Sequence, residues 1–187
     1  MAKPNYSKKP TLVEIPATHY LSIEGHGQPG GPEFQDAIGA LYPMAYTIKM
    51  TRKFSGRASF PVAPLEGVYS TITDWQLQLP VPSVIRMDEV RETAVKLIEK
   101  GKTESVQRIE LVTRKEGRCL QALHVGPYDQ VAETIAILKQ FADENGLELV
   151  GPHHEIYLSD PRRTAPERLK TVVRYPVRKA VAPGRPS

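Results

Sequence analysis

The order of strand and helix patterns repeats within this chain, and that repeat constrains the fold more than any other feature. A strand pattern ending in Ile23-Glu24-Gly25 precedes a long helical pattern, and one ending in His124-Val125-Gly126 precedes a later helical pattern. Two strand patterns follow each helix, so each half reads β-α-β-β. The sequence therefore predicts an α+β fold of duplicated units related by a pseudo-two-fold axis, with antiparallel sheets and a central ligand cleft.

The predicted elements follow from apolar periodicity and from turn residues. The first segment, 12–25, is a strand pair or one kinked strand, broken near Pro16. The others are a helix at 33–53, strands at 60–71 and 74–81, a helix at 88–100 stopped by Gly101, strands at 106–113 and 118–125, a helix capped by Asp129 and ended by Asn145-Gly146, and strands at 154–158 and 169–177. Pro43 lies inside the first helix and predicts a kink or a restart there. The turn Lys115-Glu116-Gly117 predicts a hairpin between strands 106–113 and 118–125.

The length of 187 residues suits a single domain made of two halves. We expect one domain over 11–179, with a first half at 11–85, a linking helix at 88–100 and a second half at 105–179. Residues 1–10 and 180–187 lack a helical or strand pattern and are expected to be disordered tails.

Composition excludes several classes of protein. The single cysteine, Cys119, permits neither an internal disulfide nor a cysteine-based zinc site, and its alternating surroundings predict a packed thiol rather than a nucleophile. The net charge of +4 comes largely from basic residues near the two ends, which are typical of solvated tails. We expect no nucleic-acid partner, no membrane span, no signal peptide and a cytoplasmic location.

Several segments match a known family. The most specific ones are Leu123-His124-Val125-Gly126-Pro127-Tyr128, His153-His154-Glu155-Ile156-Tyr157-Leu158-Ser159-Asp160-Pro161 and the closing run from Leu169 to Val177; weaker ones in the first half are Pro32-Glu33-Phe34-Gln35, Ala40-Leu41-Tyr42, Ala45-Tyr46-Thr47-Ile48-Lys49 and Pro64-Leu65-Glu66-Gly67. Through them, roughly residues 10–179 resemble the GyrI-like small-molecule-binding domain family.

The resemblance implies a duplicated fold that binds xenobiotics. In this family such domains act as effector sensors when they are fused to DNA-binding helices. Because the 187 residues contain no helix-turn-helix pattern, we expect no transcription-factor role. One similar subfamily, the cyclopropanoid cyclopropyl hydrolases, opens the cyclopropane ring of DNA-alkylating natural products within an aromatic cage. Relatives often carry a tryptophan pair where this chain has Val68-Tyr69, which predicts a smaller or more polar cage.

Glu155 is the principal candidate for chemistry. Alternation along a strand places Glu155, Tyr157 and His153 on one face, and His154 with Ile156 on the other. A carboxylate on an inward face is costly unless it is paired, hydrogen-bonded or protonated, so such a group points to a ligand or to proton transfer. From the residues alone, a surface glutamate on an edge strand remains an equal alternative; the resemblance favours the pocket.

Aromatic side chains are expected to complete the site. Tyr69 is aligned by the repeat with Tyr157, so their rings are expected on opposite sides of the cleft. Trp75 is the only tryptophan, and Tyr42 with Tyr46 present one face of a helix. Core packing is an equal alternative for each ring. Such a cage suits a small hydrophobic, aromatic or cationic molecule.

The chemistry implied by the resemblance is hydrolysis. Glu155 acts as general base on a water that attacks a strained carbon, and Tyr157 or Tyr46 donates to the carbonyl that gains charge. No cofactor is expected, because neither a P-loop nor a dinucleotide fingerprint is present. No metal is expected, because His153 and His154 point apart.

Three functions remain open at this stage. They are a detoxifying hydrolase, a binder that sequesters drugs or metabolites without turnover, and a protein-interaction module of the kind that names the gyrase inhibitors. The first two use the same cleft, whereas the third requires an exposed surface. A monomer or weak homodimer is expected.

Overall fold

The computed structural model describes residues 6–180, which form nine strands and three α-helices. The elements are β1 (Thr11–Ile15), β2 (Thr18–His26), α1 (Pro32–Phe54), β3 (Glu66–Tyr69), β4 (Asp74–Val81), α2 (Met87–Glu99), β5 (Glu110–Arg114), β6 (Gly117–Val125), α3 (Val131–Glu144), β7 (Leu147–Leu149), β8 (His153–Tyr157) and β9 (Lys170–Lys179). The predicted α+β class with antiparallel strands is confirmed. Within the described range, no helix combines the length and the apolar character needed to cross a bilayer.

The chain divides into two compact units. Residues 16–115 form a continuous unit, and residues up to 15 together with those from 116 onward form a discontinuous unit. This division differs from the sequence halves at 11–85 and 105–179, because the first strand belongs with the second half of the chain and the strand after α2 belongs with the first half.

The continuous unit is an antiparallel sheet in the order β3-β4-β2-β5 with α1 packed on one face. Its core contains fully buried aliphatic side chains from the two central strands and from the helix: Leu21, Ile23, Leu77, Leu79, Leu41, Met44 and Ile48. Each such side chain stabilises the fold by about 1.5–3 kcal/mol relative to exposure.

The discontinuous unit is an antiparallel sheet in the order β1-β6-β9-β8, with β7 paired to β9. Its helix α3 packs on one face of this sheet. The core between them contains Leu120, Ala122, Val131, Leu138, Ala142, Leu147, Val173 and Val177.

The predicted hairpin between residues 106–113 and 118–125 is wrong. Strand β5 pairs with β2, with Arg114 opposite Thr18, whereas β6 pairs with β1, with Gly117 opposite Ile15. The chain leaves one unit and enters the other at this turn, where Gly117 has a φ of 68°. Alternating apolar residues identify the two faces of a strand but not the strands that pair with it. The two strands were predicted to pair because they are close in sequence, and this closeness does not determine pairing.

Two predicted strands are shorter in the structure. Only Glu66–Tyr69 of the 60–71 segment is a strand, and Pro61 and Pro64 lie in the part that is not, since proline has no amide to donate to a ladder. Residues 106–108 belong to a 3-10 turn, Glu104–Arg108, which Thr103 caps by accepting the Ser105 amide.

The helices agree with the sequence except at one cap and at Pro43, where no restart occurs. Helix α1 continues through Pro43, α2 ends before Gly101, whose φ is 70°, and Gly146 follows α3 with a φ of 60°. Asp129 does not cap α3: it lies in a short 3-10 turn, and the N-cap position is occupied by Gln130, which makes no side-chain capping bond.

The expected tails are only partly within the described range. Residues 1–5 and 181–187 of those tails lie outside the described residues. Residues 6–10 are described, and the Ser7 carbonyl accepts the amide of Leu123 at 2.8 Å. The amide of Ala180 donates to the Gly146 carbonyl at 2.9 Å.

Candidate functional site

Glu155 lies at the centre of β8, on the face of the sheet that α3 covers. It stands opposite Val173, which stands opposite Ala122, and both of these residues belong to the apolar core beneath α3. Only 9% of Glu155 is exposed. A carboxylate in these surroundings has lost most of its hydration and depends on a hydrogen-bond partner or a ligand.

His153 supplies that partner. Its Nε2 lies 3.0 Å from Oε1 of Glu155, and alternation along β8 places the two side chains on the same face, as predicted. Within residues 6–180, His153 is the only residue that hydrogen-bonds to the Glu155 carboxylate. Oε1 of Glu155 is therefore held by a hydrogen bond, and Oε2 receives no hydrogen bond from residues 6–180.

Tyr175 lies beside this pair. Its ring centroid is 5.7 Å from that of His153, with the two planes inclined by 35°. Burial, and secondarily the negative charge of Glu155, raise the pKa of Tyr175 above its ordinary value. The phenol consequently keeps its proton near neutral pH and is available as a hydrogen-bond donor.

Tyr157 and Tyr128 form a second aromatic pair in the same unit. Their rings meet edge to face, with centroids 5.6 Å apart and planes at 84°. Tyr128 precedes α3 and is 39% exposed, while Tyr157 ends β8. The discontinuous unit thus contributes Tyr175 beside the His153–Glu155 pair, and Tyr128 with Tyr157 as a second pair at the end of the same strand.

The opposite face of the same strands carries a buried charge network. Nδ1 of His154 lies 2.9 Å from one oxygen of Glu116, and the guanidinium of Arg174 donates to the other at 3.0 Å. Arg174 also donates to Gln121 at 3.0 Å. Although burial alone acts to raise the pKa of Glu116, the bonds and charges of His154 and Arg174 outweigh it and lower that pKa.

His154 therefore has a structural partner and points away from Glu155. The two adjacent histidines serve different networks on opposite faces of β8. Among the described residues, no group of three or more histidine, cysteine or acidic side chains is arranged to hold a metal ion.

Tyr69 and Tyr157 hold comparable positions in their ladders. Tyr69 lies opposite Trp75, five residues before Pro80, and Tyr157 lies opposite Thr171, five residues before Pro176. The two tyrosines therefore stand at the same distance from the similar runs Leu79-Pro80-Val81 and Tyr175-Pro176-Val177. Their equivalence in the repeat stays a prediction.

Glu66 is a buried glutamate of the continuous unit, and its surroundings differ from those of Glu155. It lies opposite Gln78, which donates to it at 3.3 Å, and Gln78 lies opposite Ser22. These buried polar residues alternate with Leu77 and Leu79, which belong to the apolar core. The two units therefore place their buried glutamates on different faces of their sheets.

Tyr69 and Trp75 are packed within the continuous unit. They are 7% and 3% exposed and lie opposite each other in the ladder. The indole nitrogen of Trp75 donates to the Gly27 carbonyl at 3.1 Å, and its ring meets Phe34 edge to face at 5.1 Å. Trp75 covers Gly25, whose missing side chain leaves room for the indole.

Tyr42 and Tyr46 form a stacked pair on α1, with centroids 6.4 Å apart. Tyr46 is 50% exposed, and the ammonium of Lys49 lies 5.7 Å from its ring centroid. These rings keep open aromatic surface, unlike Tyr69 and Trp75.

The structure brings together His153, Glu155 and Tyr157 in one unit, and Tyr42 with Tyr46 in the other. Sequence reasoning missed Tyr175 and Tyr128. The position of Tyr175 in the closing strand could have revealed it. Tyr175 is two residues from Val173, so its side chain lies on the face of the sheet that also carries Glu155. Tyr128 belongs to the Gly126-Pro127-Tyr128 motif, whose aromatic residue was not assigned a role.

A concave surface lies in the continuous unit. It is an apolar groove of about 390 Å³ formed by α2 and the 3-10 turn that follows it, with Val90, Ala94, Ile98 and Val106 among its lining residues. It contains none of the candidate site residues.

Comparisons with known proteins identify the family. The model of the GyrI-like small molecule binding domain matches residues 8–178. Two solved structures from Listeria innocua are similar: one described as a hydrolase, with 35% identity, TM-score 0.85 and coverage of 93% of this chain and 94% of that one, and one described as an uncharacterized conserved protein, with 34% identity, TM-score 0.86 and coverage of 92% and 94%.

The fold also occurs in EcmrR, a protein whose complex with DNA has been solved. The C-terminal domain of EcmrR is 17% identical, with a TM-score of 0.60 over 92% of this chain and 98% of that one, which shows a shared fold alone. No match was found among proteins with curated functions. The chain belongs to the GyrI-like small-molecule-binding domain family.

Proposed function

We propose that the protein is a cytoplasmic enzyme that binds a small electrophilic xenobiotic beside Glu155 and adds water to it. The observation that carries this proposal is the Glu155 carboxylate itself: it is 9% exposed, packed against the core, and held by a single hydrogen bond from His153. A protein tolerates such a group when a ligand or a proton transfer uses it.

The surrounding rings suit a flat, π-rich or cationic ligand. Tyr157, Tyr128 and Tyr175 lie in the same unit as Glu155, and aromatic faces attract cations by about 0.5–2 kcal/mol each. Tyr42 and Tyr46 have exposed ring surface in the continuous unit, and we propose that they are ligand contacts of that unit. Tyr69 and Trp75 are buried there, so we propose that they support the continuous unit through packing.

The proposed reaction adds one water across a strained carbon–carbon bond. Oε2 of Glu155 accepts a proton from water as the water oxygen bonds to the cyclopropane carbon. The ring bond breaks, and its electron pair moves to the conjugated carbonyl oxygen, which a tyrosine hydroxyl stabilises by donating a hydrogen bond. The proton on Glu155 then passes through solvent to that oxygen, which leaves the enzyme unchanged.

Two groups are available as the donor. Tyr157 ends the strand that carries Glu155, and Tyr175 holds its proton firmly because of burial and of the Glu155 charge. The similarity to a Listeria innocua protein described as a hydrolase supports turnover over simple sequestration.

Turnover of a cyclopropane-bearing alkylator, followed by mass spectrometry, tests the proposal. Wild-type protein should give the water adduct, and Glu155→Gln should lose at least about 10²-fold in kcat, the usual contribution of a general base. Glu133→Gln, which changes an exposed carboxylate on α3, is the matched control and should retain full turnover. Binding and thermal stabilisation by the compound without any product would instead establish a sequestering protein.

A further inference from the structure

His153 stands between the carboxylate and an aromatic ring. Its imidazole bonds to Oε1 of Glu155 at 3.0 Å on one side and lies against the ring of Tyr175 at 5.7 Å on another. The histidine side chain is 24% exposed and that of Glu155 is 12% exposed. The two side chains therefore interact where water competes weakly, which strengthens the hydrogen bond.

The hydrogen bond fixes more than one torsion of Glu155. A glutamate side chain has three rotatable bonds, and its terminal torsion is broad when nothing holds it. With Oε1 held by His153, the direction of Oε2 is set by the plane of the carboxylate. Since His153 is the only residue within 6–180 that bonds to this carboxylate, nothing else in that range replaces its effect.

We propose that His153 is a positioning residue that aims Oε2 of Glu155 at the attacking water; this inference rests on the hydrolase function proposed above. The contact with Tyr175 orients the imidazole, and the Nε2–H donates to Oε1. This role differs from the ligand contact that the sequence suggested for His153, because a positioning residue acts on the rate of the chemical step and a ligand contact acts on affinity.

Two substitutions separate the hydrogen bond from the packing. His153→Gln keeps an N–H donor but loses the ring that lies against Tyr175. His153→Phe keeps a ring there but loses the donor. A misplaced general base commonly costs on the order of 10²-fold in rate. We therefore expect kcat to fall on the order of 10²-fold in His153→Phe and to fall much less in His153→Gln. KM should change little in either variant.

The experiment compares kcat and KM of wild type, His153→Gln and His153→Phe on the cyclopropane-bearing substrate. The fall should appear in kcat and not in KM, and the variant that keeps the donor should restore it. A loss of kcat in His153→Gln but not in His153→Phe would show that packing matters and would overturn the proposal. A rise in KM with unchanged kcat would overturn it in favour of ligand contact.

A measurement independent of turnover keeps this inference distinct from the proposed function. The ¹⁵N shifts of the His153 imidazole should show a hydrogen-bonded Nε2–H in wild type, and that signature should be lost in Glu155→Ala. If wild type gives no product, the hydrolase proposal fails. If the signature persists in Glu155→Ala, the hydrogen bond between His153 and Glu155 is refuted, and the positioning role of His153 fails with it.

Discussion

The carboxylate of Glu155 acts on the phenol of Tyr175, whose pKa is raised first by burial and then by this negative charge. The two residues lie on the same face of neighbouring strands, since Tyr175 is two positions from Val173, the direct partner of Glu155. The negative charge of Glu155 therefore disfavours loss of the Tyr175 proton, because a tyrosinate there would place two like charges close together.

This coupling predicts how stability changes in alkali. Below the ordinary tyrosine pKa of about 10, the folded and unfolded states both keep the Tyr175 proton, and the group has no effect on the pH dependence. Above it, the unfolded chain releases the proton first, so the free energy of unfolding falls as pH rises towards the folded pKa. Glu155→Gln should make that fall smaller, because only burial then raises the pKa.

Urea unfolding at several pH values between about 9 and about 11 measures this effect. Glu133→Gln is the control and should follow wild type. A steeper alkaline loss of stability in Glu155→Gln than in wild type would contradict the assigned coupling.

Cys119 should be unreactive in the folded protein. Burial, and secondarily the charge of Glu116, raise the pKa of its thiol to about 12, so only about one molecule in 10⁴ is a thiolate at pH 8. Titration with a chromogenic disulfide at that pH should give no fast reaction in buffer and one thiol per chain in denaturing urea. Rapid stoichiometric labelling of the folded chain would show instead that the thiol is accessible and ionised.

Gly25→Ala should destabilise the protein. A Cβ at Gly25 would lie 2.5 Å from Cζ2 and Cζ3 of Trp75, so the indole must shift and lose its packing on Phe34. Overpacking of this kind costs about 1–3 kcal/mol. Urea unfolding should reveal the loss.

Gly39→Ala is the matched control for that experiment. Gly39 lies within α1, and a Cβ there would meet nothing within 4 Å. Replacing a helical glycine by alanine stabilises by about 0.5–1 kcal/mol, so this variant should unfold at higher urea concentration. Equal destabilisation by both variants would mean that the Trp75 contact is not the cause.

Arg174→Met should unfold the discontinuous unit more easily. The substitution removes a buried guanidinium that bonds to Glu116 and Gln121 and leaves Glu116 with less compensation. Removal of one partner from a buried ion pair costs about 3–5 kcal/mol. Arg178→Met breaks the exposed pair with Glu148, at 2.7 Å, and should change stability little, since exposed pairs are screened by water. Similar unfolding midpoints for the two variants would contradict the structural role of the Glu116 network.

The sequence predicted the elements better than their partners. The repeat around Gly25 and Gly126 and the helical spacing along α1 and α3 predict the β-α-β-β order, because these are local patterns. Strand β7, only three residues long, was not predicted and adds a strand after α3. The pairing of β5 with β2 and of β6 with β1 depends on contacts far apart in the chain, which alternation does not encode. The hairpin at Lys115-Glu116-Gly117 was wrong for that reason.

The candidate site was predicted in part. Alternation in β8 correctly placed His153 beside Glu155 and His154 on the other face, where it meets Glu116. Tyr175 was missed because its proximity to Glu155 requires the register between β8 and β9. Trp75 was proposed as a ligand contact, but no local pattern reveals that its indole fills the space above Gly25.

The proposed function depends on one step, in which Glu155 activates water for attack on a strained ring. This step is tested by turnover of a cyclopropane-bearing alkylator in ¹⁸O-labelled water by wild type and Glu155→Gln, with the product analysed by mass spectrometry. We expect a labelled water adduct from wild type and at least about 10²-fold less of it from Glu155→Gln in the same time. Equal labelling in the two proteins would show that Glu155 is not the base, and unlabelled, unchanged compound with wild type would show that the protein binds without hydrolysis.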